Sequence, residues 1–287
     1  MNSSGRPRLL MAVSMAIFGT LGLFVRHIPI SSGALALCRA VLAAGMIGLG
    51  LLLTKQRIPL SAIRREVPLL LLSGGALGIN WMLLFEAYRY TTVTVATLSY
   101  YFAPVIVTAV CPILFREKLS GKQLLCFGMS TVGLILITIS GDGPGSDGIR
   151  GILLGLGAAC FYASVVLLNK YIRNVSRLQR TFLQFLAAAA VLIPYVALTG
   201  GLELAGLNST GWANLLIVGL VHTGLAYCLY FSALRDIPGQ KAAILSYIDP
   251  LVAVVISVTA LGEPLTGLQI LGGGLILGFT LYNELSP

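Results

Sequence analysis

The sequence predicts an all-α membrane protein, with ten transmembrane helices in two inverted five-helix repeats. Three observations lead there. The 287-residue chain is 57% apolar and 10% charged, too little charge for a soluble surface. Apolar segments of about 18–25 residues recur along nearly its whole length, each able to cross a hydrocarbon core roughly 30 Å thick. Residues 80–128 and 226–274 repeat one passage at a fixed offset of 146, with no gap.

The spans fall at 9–27, 32–54, 67–88, 92–115, 119–140, 149–170, 178–199, 212–234, 239–261 and 265–283. Barrel strands are excluded, because they alternate in short pieces rather than staying apolar for twenty residues. The first span follows Arg6 and Arg8, as a secretory signal would. Its apolar pattern continues to Val25 and a second span follows at once, so it is a true span. Prolines inside spans (Pro104, Pro112, Pro194, Pro250) are tolerated where neighbouring helices satisfy the freed backbone groups. The Gly- and Asp-rich stretch from Ser140 to Gly148 reads as a linker. The halves are therefore 1–141 and 148–287, joined by 142–147.

Between the copies, Phe85 meets Phe231, Arg89 meets Arg235, Tyr101 meets Tyr247, Pro104 meets Pro250 and Glu117 meets Glu263. Leu or Ala matches are cheap in such a chain, but this ordered polar and proline set is not. The net charge of +9 suggests nucleic acid, and its distribution rejects that. With the N-terminus inside, fifteen Lys and Arg fall on inner segments and three (Arg26, Arg89, Arg150) on outer ones. This positive-inside bias places both termini in the cytoplasm. Five spans per copy is odd, so the second copy enters from the opposite side. Inverted repeats supply a route to alternating access at the seam between the halves.

Polar groups within spans are the candidates for function. Asp249 lies about midway along span nine and precedes Pro250; its counterpart is Ala103. A carboxylate there costs roughly 2.5–3.5 kcal/mol on insertion, which points to a site for a substrate amine or a proton, or else to a structural acid at a kink. His222, near the middle of span eight, suits proton coupling or a satisfied interior hydrogen bond. Arg39, two turns inside span two, is expected to pair with Glu86 at the outer mouth, with a substrate carboxylate as the other reading. Arg89 is then a gate charge. Glu117 and Glu263, with Ser120 and Thr266, read as a device for starting the last helix of each copy.

Trp81, Phe85 and Tyr88 share one helical face, and Tyr227 and Phe231 repeat it in the second copy. Trp81, Tyr101, Tyr227 and Tyr247 are expected to line a central cavity, because they correspond across the copies. Gly74, Gly78, Gly151, Gly155, Gly274 and Gly278 offer small surfaces for close helix crossings. The five cysteines have no paired spacing and read as small buried hydrophobes. No metal-site or nucleotide-loop spacing is present, so no cofactor is expected.

Leu37-Cys38-Arg39-Ala40 in span two, Ala87-Tyr88-Arg89-Tyr90-Thr91-Thr92 before span four, Ala103-Pro104 and Asp249-Pro250, and the paired Glu117-Lys118-Leu119-Ser120 and Glu263-Pro264-Leu265-Thr266 form a pattern over essentially the whole chain. It resembles the drug/metabolite transporter superfamily in its EamA-type branch. One departure is Phe18-Gly19 and Phe161-Tyr162, where that family often has Trp-Gly. The resemblance implies secondary transport of small metabolites, commonly amino acids or related compounds and often outward.

Asp249 and His222 suggest coupling to protons. An uncoupled facilitator or channel is the alternative. An intramembrane enzyme is disfavoured, since a paired-acid protease needs a second carboxylate beside Asp249 and none is in a span near it. The expected partners are a small-molecule substrate and the lipid bilayer of a bacterial inner membrane; oligomeric state is not legible.

Overall fold

The computed structural model describes residues 5–56, 58, 63–115, 120–140, 148–169, 171–236 and 245–285. Among these the regular structure is helical, with no strand. In chain order the helices are α1 (Gly5–Gly19), α2 (Leu21–Val25), α3 (Ser32–Leu53), α4 (Val67–Tyr90), α5 (Val93–Tyr100), α6 (Ala103–Phe115), α7 (Gly121–Ile139), α8 (Gly148–Asn169) and α9 (Arg177–Leu198). The helix α10 (Ser209–Leu216) runs through a π-helical stretch (Ile217–Leu225) into α11 (Ala226–Asp236); α12 (Ile248–Thr259) and α13 (Gly267–Leu285) complete the set. Among the described residues, six stretches are long and apolar enough to cross a membrane: Gly5–Val25, Ser32–Leu53, Val67–Tyr90, Gly148–Asn169, Arg177–Leu198 and Ser209–Ala233. Val93–Val107, Gly121–Ile137 and Ile248–Thr259 are shorter apolar helices.

Helix starts are fixed by short polar side chains, as they must be where water is scarce. Ser31 caps α3 and Thr92 caps α5. Ser120 with Gln123, Ser176 with Gln179 and Thr266 with Gln269 form reciprocal capping boxes at α7, α9 and α13. The outside of the bundle is apolar: Leu52 is 76% exposed and Leu198 86% exposed. Such a surface is stable only against hydrocarbon.

Three expected continuous spans are interrupted. The first breaks at Thr20, between α1 and α2, the fourth at Tyr101–Phe102, between α5 and α6, and the ninth at Tyr247, between the helical residues Leu245 and Ser246 and α12. Pro104 then falls in the first turn of α6 and Pro250 in the first turn of α12, where a missing N–H costs nothing. Pro104 and Pro250, read from sequence as lying within spans, thus mark helix starts, whereas Pro194 does lie inside α9.

Helix packing obeys an exchange of halves. α4 packs on α8, and in return α11 packs on α1. α9 packs on α4, and α3 packs on the π stretch; α5 and α6 pack on α8, and α12 packs on α1. The pairs α3 with α9 and α7 with α13 cross between the halves. At the last crossing, a Cβ on Gly133 would lie 2.5 Å from the Gly272 carbonyl oxygen, and the reverse holds. Gly74, Gly78, Gly151 and Gly155 also meet neighbouring helices closely, whereas Gly274 and Gly278 face open space. The last pair is therefore no crossing point, contrary to its spacing.

Candidate functional site

A cavity of ≈ 450 Å³ lies between the halves. Its wall draws on α1 to α6, α8, α9, α11 and α12, including nine aromatic side chains. Phe18, Tyr227 and Phe185 stack edge to face, with centroids 5.1 and 5.4 Å apart, and Trp81 lies 5.2 Å from Phe185. Tyr100 packs on Tyr101 and Tyr162 at 5.9 and 5.5 Å. These rings form rigid walls suited to an apolar or aromatic solute.

Asp249 enters the cavity from the first turn of α12, not from a helix midpoint. The helix N-terminus favours a negative side chain there. Tyr101 Oη donates to Asp249 Oδ2 at 2.6 Å, so the break in the fourth span supplies the partner of the acid on the ninth. Gly19 permits this placement: a Cβ there would sit 2.5 Å from the Asp249 carbonyl oxygen and 2.6 Å from Val252 Cβ.

Arg39 also lines the cavity and is 3% exposed. Its Nε donates to Thr223 Oγ1 at 2.5 Å, and its guanidinium lies over the Trp81 ring, 4.3 Å from the centroid. Thr223 in turn donates to the Val218 carbonyl five residues earlier, within the π stretch. The expected pair with Glu86 does not form. Glu86 instead accepts from Ser32 Oγ at 2.6 Å and sits 3.5 Å from Arg89. Ser32 starts α3 and Arg39 lies seven residues along it, roughly 10 Å deeper at helical rise, beyond the reach of that carboxylate.

The other predicted residues divide. Trp81 and Tyr227 line the cavity with Arg39, Tyr101 and Asp249, while Tyr247 and His222 do not. Tyr247 sits in the turn before α12, the counterpart of the turn that holds Tyr101, but the 146-residue correspondence does not extend to the wall. His222 is 2% exposed; its Nε2 lies 2.9 Å from Thr20 Oγ1 and its Nδ1 3.3 Å from the Ile217 carbonyl oxygen. It ties the π stretch to the break in the first span. The extra residue of a π-helical turn sets His222 and Thr223 toward different helices, a register that apolar periodicity does not reveal.

At one end the cavity wall includes Asn169, Thr181, Gln184 and the exposed Arg177. Gln184 Nε2 donates to Asn169 Oδ1 at 2.7 Å and Ser73 Oγ at 2.8 Å. The opposite end stops at a polar cluster outside the wall. Arg26 Nη2 lies 2.6 Å from Glu263 Oε1 and donates to the Thr91 carbonyl at 2.7 Å. Glu263 Oε2 accepts from Val93 N at 2.8 Å and from Ser257 Oγ. Glu263 therefore caps α5 of the other half rather than starting its own last helix, as the repeated motif suggested. Its counterpart Glu117 lies outside the described residues. Gly22 lies against Val93, where a Cβ would overlap the valine side chain. Beyond this contact is a second pocket of ≈ 520 Å³, lined by Arg26, Arg89 and Glu203 among others; Tyr88 stands on the walls of both pockets. Sequence reasoning missed Thr223, Gln184 and the Arg26–Glu263 contact, whose members are 237 residues apart in the chain (263 − 26).

The profile of the EamA-like transporter family matches residues 6–139 and again 149–283. The "Uncharacterized transporter YxxF" of Bacillus subtilis (strain 168) is 33% identical over 258 residues, 88% of this chain and 81% of that protein. The "Probable amino-acid metabolite efflux pump" of Salmonella typhimurium is 30% identical, over 77% of this chain and 78% of that protein. A solved crystal structure aligns with a TM-score of 0.66 at 16% identity, covering 97% of both chains, which is a likeness of fold.

Proposed function

Because the chain belongs to the EamA-like transporter family, a multi-pass membrane family with transporter-named relatives, we propose that it is a secondary transporter of amino acids or related amines, aromatic ones included, working outward by alternating access. The observation that carries this reading is the cavity between the halves, with Asp249 at its wall and a polar cluster at one end. The exchange-related packing supports two inverted five-helix repeats, ten spans in all. The interruptions at Thr20 and Tyr101–Phe102, and the start of α12 at Ile248, support a midplane site built from broken helices.

The excess of Lys and Arg on inner segments orients the molecule. The end with Arg177 and Arg180 faces the cytoplasm, as do both termini, in a bacterial inner membrane. The Arg26–Glu263 end faces outward, so this is an inward-facing form. Export then starts with loading from the cytoplasm, and release requires that Arg26, Glu263 and the α5 start separate. Asp249 takes a substrate amine or a proton; two cations compete for one carboxylate, which couples solute movement to a pH gradient. The efflux role in the name of the Salmonella relative supports the outward direction.

Purified protein in liposomes tests this. A pH gradient is expected to drive accumulation of a labelled amino acid or amine, and Asp249→Asn is expected to abolish the gradient-driven component. Flux that ignores the gradient in the unmodified protein would make it an uncoupled facilitator; equal gradient-driven flux in Asp249→Asn would remove that residue from the mechanism.

A further inference from the structure

We propose that Arg39 is the anion subsite of the cavity, binding the carboxylate of a solute whose cationic end is taken by Asp249. This rests on the cavity's being the transport site and assigns the second half of its chemistry. Arg39 Nη1 is buried and has no hydrogen-bond partner. An unpartnered N–H of a permanent cation, inside a membrane bundle, is among the costliest groups a fold can keep. The remaining contacts hold the guanidinium in one place rather than neutralise it. Thr223 takes Nε, and Trp81 and Phe85 lie beneath the plane, 4.3 and 5.5 Å from Cζ. Two aromatic faces stabilise the cation, yet supply no acceptor for Nη1.

Of the charged side chains on the cavity wall, Arg39 and Asp249 share one kind of incompleteness. Neither Arg39 nor Asp249 forms an ion pair among the described residues, although both line one cavity. Each belongs to a different half. Had they been partners, the site would be neutral and closed to charge. Held apart, they make a fixed dipole that a solute of opposite polarity completes. A planar carboxylate suits the free edge of a guanidinium, whereas an ammonium suits the carboxylate already held by Tyr101. The aromatic walls beside the two charges suit an apolar or aromatic side chain.

Ligand-induced thermal stabilisation of the full chain in detergent tests the assignment without requiring flux. Two series serve as probes: L-phenylalanine, L-phenylalaninamide, phenethylamine and 3-phenylpropionate, and the corresponding leucine set. In the unmodified protein each amino acid is expected to bind roughly 10- to 100-fold more tightly than its amide, the range for a hydrogen bond to a charged group. In Arg39→Gln that preference is expected to vanish while the preference for an amine over its deaminated acid persists; Arg39→Lys is expected to restore part of it. The comparison within the unmodified protein stands even if Arg39→Gln fails to fold. Equal binding of acid and amide, binding by neither series, or a preference that survives in Arg39→Gln would overturn the proposal. Carboxylate preference without any liposome flux would uphold the subsite and sink the transport reading; flux without carboxylate preference would do the reverse.

Discussion

Glu263 and Glu66 sit at opposite ends of the bundle, since Glu66 precedes α4 and Thr91, beside the Glu263 cluster, follows it. Both are 8% exposed, and both tie one half of the chain to the other. Glu66 accepts from Arg173 N at 3.0 Å and from Asn174 Nδ2 at 2.8 Å. Its partners are two residues of the α8–α9 turn, Asn174 also donating its backbone N–H, and the cavity wall continues past them to Arg177. Glu263 takes an amide too, at Val93, but adds the half-buried Arg26 and stands where the cavity stops. The comparison teaches that the same residue type can fasten a turn or bar a path. The difference lies in what else the carboxylate holds. Bonds to a neighbouring turn fix local structure; an ion pair across the halves, with one partner reachable by water, can be exchanged for hydration when the halves move.

The largest expected effect comes from breaking the barred end. Glu263→Ala leaves Arg26 to water and takes the acceptor from the buried Val93 N–H, uncapping α5 at a cost of about 2 kcal/mol. A cysteine placed at Val93 should then react with a membrane-impermeant thiol reagent added outside several-fold faster than in the unmutated background. Unchanged labelling would show that the cluster is not the seal. Gly22→Val should act next, in the same sense. It crowds Val93, so the α2–α5 contact cannot close, and flux should fall by about tenfold or more while ligand binding in detergent persists; loss of both together would assign Gly22 to folding alone. The smallest effect belongs to Glu66→Gln, which keeps one acceptor oxygen. It should lower stability by about 1 kcal/mol, read as a shift in thermal midpoint, with no change in outside labelling. A labelling change there would erase the distinction between the two ends.

Several site residues are legible from residue type and position alone. Asp249, Arg39, Trp81, Tyr101 and Tyr227 stand out because charge and paired aromatics are conspicuous in an apolar chain, and all five line the cavity. The repeat leads elsewhere for Tyr247 and Glu263. Correspondence by offset assumes that equivalent residues have equivalent surroundings. Tyr247 occupies the turn between the helical residues Leu245 and Ser246 and the start of α12, as Tyr101 occupies the turn between α5 and α6, yet only Tyr101 stands on the cavity wall. The Arg39–Glu86 pairing fails for a simpler reason: opposite charge and rough depth do not fix distance. About two helical turns separate Arg39 from Ser32, the residue that Glu86 meets. Glu66 gives no signal at all, being one acid among the charges of a short loop.

Composition, apolar run length and the internal repeat determined by themselves that this is a multi-pass helical membrane protein built by duplication, because hydrocarbon admits few backbone solutions and duplication leaves a visible offset. Tertiary structure alone decided which charges meet. Arg26 found Glu263, Tyr101 found Asp249, and Arg39 was left with an unpartnered N–H, through contacts between residues far apart in sequence. Such contacts depend on helix breaks, a π-helical register and the meeting of glycine with valine, distances of a few ångströms that a pattern of residue types does not encode.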